Sequence, residues 1–221
     1  MHTLAIIAQK GGAGKTTLTV HFAVCAARHG LKVGIIDLDP QGSAFSWNQS
    51  RPVDKQFSAA KATAADLPRL LEQAKAAKID LTIIDTAPHS DSEASAAAKL
   101  ADFALIPCRP QRWDLEAMAT TIALLELTKT PLAVVLNAAP QGFKMAQEAR
   151  ESLLGRFGVV IVPDVIHQAA ALSHAVIDGR SVHEYEPGSR SAAEIDGLFT
   201  AVAGFLKLQQ RVRSEPARAA S

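Results

Sequence analysis

Lys10-Gly11-Gly12-Ala13-Gly14-Lys15-Thr16-Thr17 is the stretch of this 221-residue chain whose residue types and spacing most clearly predict chemistry. Its glycines let successive backbone N–H groups turn toward one point, and Lys15 adds a full positive charge there. Such a loop cradles the β- and γ-phosphates of a nucleotide, with the Thr16 hydroxyl placed to ligate Mg2+ and Thr17 to hydrogen-bond on the α-phosphate side. Gln9 stands where the ordinary G-x-x-x-x-G-K-[ST] pattern has its first glycine. Lys10 precedes the glycines, where folding back onto the phosphates of its own loop is difficult. A cation in that position is placed to reach a nucleotide held by a second copy of the chain.

Phosphate chemistry with Mg2+ also needs carboxylates, and two apolar runs end in them. Ile35-Ile36-Asp37-Leu38-Asp39 closes one, and Leu81-Thr82-Ile83-Ile84-Asp85 closes another. The apolar positions ahead of each aspartate set it at the C-terminal edge of a sheet, where ligands bind in α/β folds. A third run, Leu132 to Leu136, delivers Asn137, whose amide offers the donor and the acceptor that adenine recognition requires.

The elements that position these groups follow from periodicity. Leu4–Ala8, Val33–Asp37, Leu81–Asp85, Phe103–Ile106, Leu132–Leu136 and Val159–Val162 are short, continuously apolar runs, the last expected to stop at Pro163. Continuous rather than alternating hydrophobicity marks strands covered on both faces. Helical patterns lie between them: Thr16–His29 closed by Gly30, Ala65–Lys78, and a long apolar stripe from Ala192 to Arg211. Ser43–Ala62 is expected to hold a short helix and an edge strand. The fold class is therefore α/β, a doubly wound, mostly parallel sheet flanked by helices. One domain is expected over residues 1–210, followed by a short, basic, flexible tail over 211–221.

Composition narrows the function classes. Hydrophobic residues at 48% and charged residues at 20% supply a core and exclude a disordered chain. No apolar run approaches a membrane span, and Met1-His2-Thr3-Leu4 does not open a signal peptide. Cys25 and Cys108 offer no metal-ligand spacing and no disulfide framework, which suits a reducing cytoplasm. The net charge of +1 does not by itself demand a nucleic-acid partner, yet Lys207, Arg211, Arg213 and Arg218 gather near the end against a single acid, Glu215.

With Lys10 ahead of its glycine loop, the chain resembles the ParA/MinD family of deviant Walker A P-loop ATPases, and within it the small ParA-type partition ATPases. The resemblance covers nearly the whole chain and is strongest over residues 3–42 and 81–88. It implies ATP and Mg2+ as cofactors and catalytic roles for Lys10, Lys15 and Asp39. Lys10 would act across a nucleotide-sandwich homodimer, and Asp39 would orient the attacking water. Asp37 would stand close to the metal shell, and Thr16 and Asp85, the latter in a Walker B-like segment, would hold the metal. Gly11, Gly12, Ala13, Gly14, Lys15, Thr16 and Thr17 would bind the phosphates. Asn137, with backbone of a Pro163-Asp164-Val165 turn, would complete the base pocket. The segment departs from many relatives by carrying His167-Gln168 where they have an arginine.

The function implied is a cytoplasmic ATPase switch, nucleoid-associated when ATP-bound, that positions a plasmid, a chromosome region or a protein cluster. Its expected partners are nonspecific DNA, through Arg180, Arg190, Lys207, Arg211 and Arg213, and a ParB-like or cargo-adaptor protein that stimulates hydrolysis. Its first strand begins within a few residues of Met1, as expected of short family forms. The alternative is a MinD-like, membrane-cycling regulator of division placement, although a membrane partner is not expected because the terminal stripe is not lysine-rich before Lys207. An iron–sulfur reductase component would need more cysteine ligands than Cys108, and a tyrosine kinase more tyrosines than Tyr185.

Overall fold

The computed structural model describes residues 1–208. Its strands are β1 (His2–Ile6), β2 (Val33–Asp37), β3 (Ser58–Lys61), β4 (Leu81–Asp85), β5 (Phe103–Cys108), β6 (Leu132–Ala139) and β7 (Ile161–His167). All pair in parallel in one sheet, ordered β3-β2-β4-β1-β5-β6-β7. The helices are α1 (Lys15–Arg28), α2 (Ser43–Ser50), α3 (Leu67–Ala76), α4 (Asp91–Leu100), α5 (Arg112–Thr128), α6 (Phe143–Phe157), α7 (Ala170–Ile177), α8 (Val182–Tyr185) and α9 (Arg190–Phe205). After β1 the chain builds the sheet outward through β2 and β3, returns by β4, and then crosses to β5 on the far side of β1. The loop after β1 thus opens where the strand order diverges, the ligand-binding position of such sheets.

Residue alternation explains the two-sided burial. Leu4 and Ile6 of β1 join Phe22, Phe199 and Val202 beneath α1 and α9. Ala5 and the following Ile7 face the other layer, with Ile84, Ile122 and Leu125. Three expectations are corrected. β1 begins two residues earlier than the Leu4–Ala8 run. The terminal helix ends at Phe205, and Arg211, Arg213 and the expected tail lie outside the described residues. The last strand runs through Pro163 instead of stopping there, because β7 is the sheet margin and its pairing with β6 shifts register, so a missing N–H is tolerated.

Polar groups clamp α1 to the helices behind it. Asp196 in α9 accepts hydrogen bonds from the Cys25 thiol (3.2 Å) and lies 2.8 Å from His183 Nε2. Burial pushes the Cys25 thiol far up, so it stays protonated. His21 of α1 accepts the Val182 N–H at Nδ1 (3.1 Å), which leaves Nε2 to donate to the Leu172 carbonyl (3.0 Å). Both nitrogens of the neutral ring are used, and burial lowers its pKa to about 4. The unfolded chain binds a proton at His21 near pH 6.5 and the folded one does not, so stability falls as pH drops from about 6.5 toward about 4. NMR titration is expected to show a neutral His21 ring down to about pH 4; titration near 6.5 contradicts this packing.

Candidate functional site

The loop after β1 turns into α1 at Gly14, whose φ of 94° lies in the left-handed region. A Cβ built there would run into the Asn137 amide, so a side chain would have to displace Asn137 as well as adopt a strained backbone. The Asn137 amide reaches across from β6 and donates to the Ala13 carbonyl at 2.7 Å. The first turn of α1 contains no acidic residue, leaving its positive end for an anion. Lys15 is buried, and its ammonium donates to the Ala8 carbonyl at 3.0 Å. Burial lowers the Lys15 pKa, against the pull of Asp85 and Asp39.

The acids arrive from neighbouring strands, Asp37 and Asp85 being register partners across β2 and β4. Asp85 Oδ2 accepts the Thr16 hydroxyl at 2.7 Å. Asp85 Oδ1 is buried and has no hydrogen-bond partner among the described residues. Burial, reinforced by Asp37 and Asp39 and opposed by the Thr16 hydroxyl and Lys15, raises the Asp85 pKa to about 7. A desolvated carboxylate oxygen without a partner, joined to a threonine hydroxyl, is an oxygen-rich donor set that fits Mg2+. Asp37 is differently engaged. Its Oδ1 accepts the Asp39 N–H and its Oδ2 the Phe45 N–H, both at 3.0 Å, so it anchors the turn that carries Asp39. Burial raises its pKa too. Asp39 Oδ1 accepts the Gln41 N–H at 2.9 Å.

Lys10 is held within its own chain, its ammonium 2.8 Å from Asp114 Oδ2 near the start of α5. Trp113 beside it is largely exposed. Gly14, Thr17 and Asn137 line a cleft with Arg109, Gln111, His167, Gln168 and Ala169. Pro163, Asp164 and Val165 are corrected here. They are extended backbone inside β7, not a turn, and the cleft wall comes from His167, the last residue of the strand, with Gln168 and Ala169 after it. Arg109 and Asp114 also escaped the sequence reading. The usable signal was position, since Arg109 directly follows β5 and Asp114 lies in the first turn of the next helix, at the sheet edge that gathers ligand loops.

Of the arginines offered as DNA contacts, the two among the described residues are both paired. Arg180 meets Asp178, and Arg190 meets Glu194 at 2.7 Å while approaching the His167 ring. Lys207 is exposed. Among the described residues no helix is long and apolar enough to cross a membrane.

A sequence model of the CobQ/CobB/MinD/ParA nucleotide-binding domain matches residues 4–182. The maintenance of carboxysome distribution protein A of Halothiobacillus neapolitanus is 30% identical over 87% of this chain and 91% of its own length. The chromosome-partitioning ATPase Soj of Thermus thermophilus is 26% identical over 86% and 90%. Among solved structures, a Cyanothece McdA–ATP complex superposes with a TM-score of 0.76 at 17% identity, covering 94% of this chain and 96% of that one.

Proposed function

This chain belongs to the CobQ/CobB/MinD/ParA nucleotide-binding family, and from that premise we propose that it is a ParA-type ATPase, an ATP-dependent dimeric switch that positions a large cargo. The observation that carries the reading is the convergence of Lys10, Lys15, Thr16, Asp39 and Asp85 at one sheet edge, with an Asp85 oxygen left unpaired among the described residues. Relatives matched over most of their length are partition and carboxysome-distribution proteins, which supports a positioning role.

Catalysis here is positioning and charge neutralisation. Lys15 leaves the Ala8 carbonyl for the β- and γ-phosphates. Gly11, Gly12, Ala13, Gly14 and Thr17 turn donors toward the triphosphate, and Asn137 faces the base side. Thr16 and Asp85 would hold Mg2+, which would supply positive charge to the triphosphate. Asp37 fixes the turn from which Asp39 orients the attacking water. Lys10 exchanges Asp114 for the nucleotide of a second copy. The closed dimer binds DNA through phosphates, and a ParB-like or cargo-adaptor protein stimulates hydrolysis to reset it.

The test is pelleting with DNA and with liposomes, each with ATP and Mg2+. DNA is expected to pellet the chain without sequence preference, with log affinity falling by about 0.9 per phosphate contact for each unit of log salt. Dependence on a defined site, or affinity that survives high salt, overturns the DNA step. Pelleting with liposomes alone favours membrane cycling.

A further inference from the structure

Arg109 is a cation of the cleft that the described residues leave unanswered. Lys15 donates to Ala8 and Lys10 pairs with Asp114. The Arg109 side chain makes no hydrogen bond or ion pair among the described residues, and its Nε is buried without a partner. A guanidinium carries five donors and does not lose its proton, so a buried Nε without an acceptor is a cost that folding leaves unrecovered. The side chain is nonetheless held in place. β5 pairs with β1, so the residue after Cys108 emerges beside the glycine loop. Arg109 Nη2 lies 3.7 Å from the point where a Cβ on Gly12 would stand, and Cζ lies 4.0 Å from it. The same side chain lines the cleft with Gly14, Thr17 and Asn137.

Resting on the nucleotide reading above, we propose that Arg109 is a phosphate-binding residue of this site, its guanidinium taking non-bridging oxygens of the bound nucleotide's phosphate chain in the same subunit. Three features favour phosphate over the base. The fork sits over Gly12, in the part of the loop that turns its N–H groups to the anion. Its planar donors match paired phosphate oxygens. Its unpaired charge calls for an anion, which adenine does not supply. The side chain needs no partner copy to reach the loop, so it acts at the binding step, whereas Lys10 acts at assembly.

The experiment measures binding of ATP, ADP and adenosine to wild type, Arg109→Gln and Arg109→Lys by calorimetry, with thermal melts to establish folding and Lys15→Ala as a control for the site. Arg109→Gln is expected to weaken ATP and ADP by about tenfold or more, to leave adenosine unchanged, and to lessen the salt dependence of ATP binding. Arg109→Lys is expected to recover part of the loss, since it restores charge without the fork. Unchanged nucleotide affinity in Arg109→Gln overturns the proposal while wild-type binding and its loss in Lys15→Ala keep the nucleotide site intact. An equal loss for adenosine also overturns it, by assigning Arg109 to the base. If wild type binds no nucleotide, the functional reading itself fails.

Discussion

Asp39→Ala is expected to bind ATP and form the dimer as wild type does, yet release phosphate about 10²-fold or more slowly. In the proposed mechanism Asp39 does not hold the triphosphate, so affinity is spared. Its carboxylate stands on a turn anchored from both sides, by Gln41 N–H on its own Oδ1 and by its N–H on the buried Asp37. A fixed carboxylate within electrostatic reach of Lys15 in the phosphate loop supplies what a water nucleophile needs, orientation and a proton acceptor. Single-turnover phosphate release after mixing with ATP and Mg2+ reads the effect, and a wild-type rate removes Asp39 from the mechanism. Asp39→Asn separates the two contributions, because it keeps the hydrogen-bonding shape but loses basicity.

Lys10→Ala is expected to remain a monomer on a sizing column with ATP and to lose turnover by roughly 10³-fold, the scale of a cation supplied in trans to a phosphoryl transfer. The structure adds a counter-variant. Asp114 is buried and holds Lys10 at 2.8 Å, so pairing at home competes with pairing across a dimer. Asp114→Asn releases that hold, and dimers are expected at lower ATP than in wild type. A Lys10→Ala protein that dimerises normally refutes the in-trans role; an Asp114→Asn protein with an unchanged ATP midpoint refutes the competition.

How much was legible in the sequence depended on whether a feature was local. The glycine loop and the acid-terminated runs of β2 and β4 are contiguous, and strands buried on both faces are apolar without interruption, so these stood out. The wall at 167–169 did not, because Pro163 reads as a stop while a marginal strand accepts it. Lys10 with Asp114, Arg109 with Gly12, and Cys25 with His183 and Asp196 are each brought together by chain crossings of roughly a hundred residues or more. No spacing rule records such meetings. Asp37 was legible as a buried acid but not as an anchor, since its role depends on N–H groups of the turn that follows it.

The two margins of the sheet have a consequence for polymerisation. One is β3, only four residues long and ending in Lys61; the other is β7, with a proline in its ladder and two breaks in register. The first is too short, and the second too irregular, to offer a long row of free backbone donors and acceptors onto which a neighbouring molecule's strand would zip. Growth of fibrils strand by strand from the margins of this sheet is therefore disfavoured.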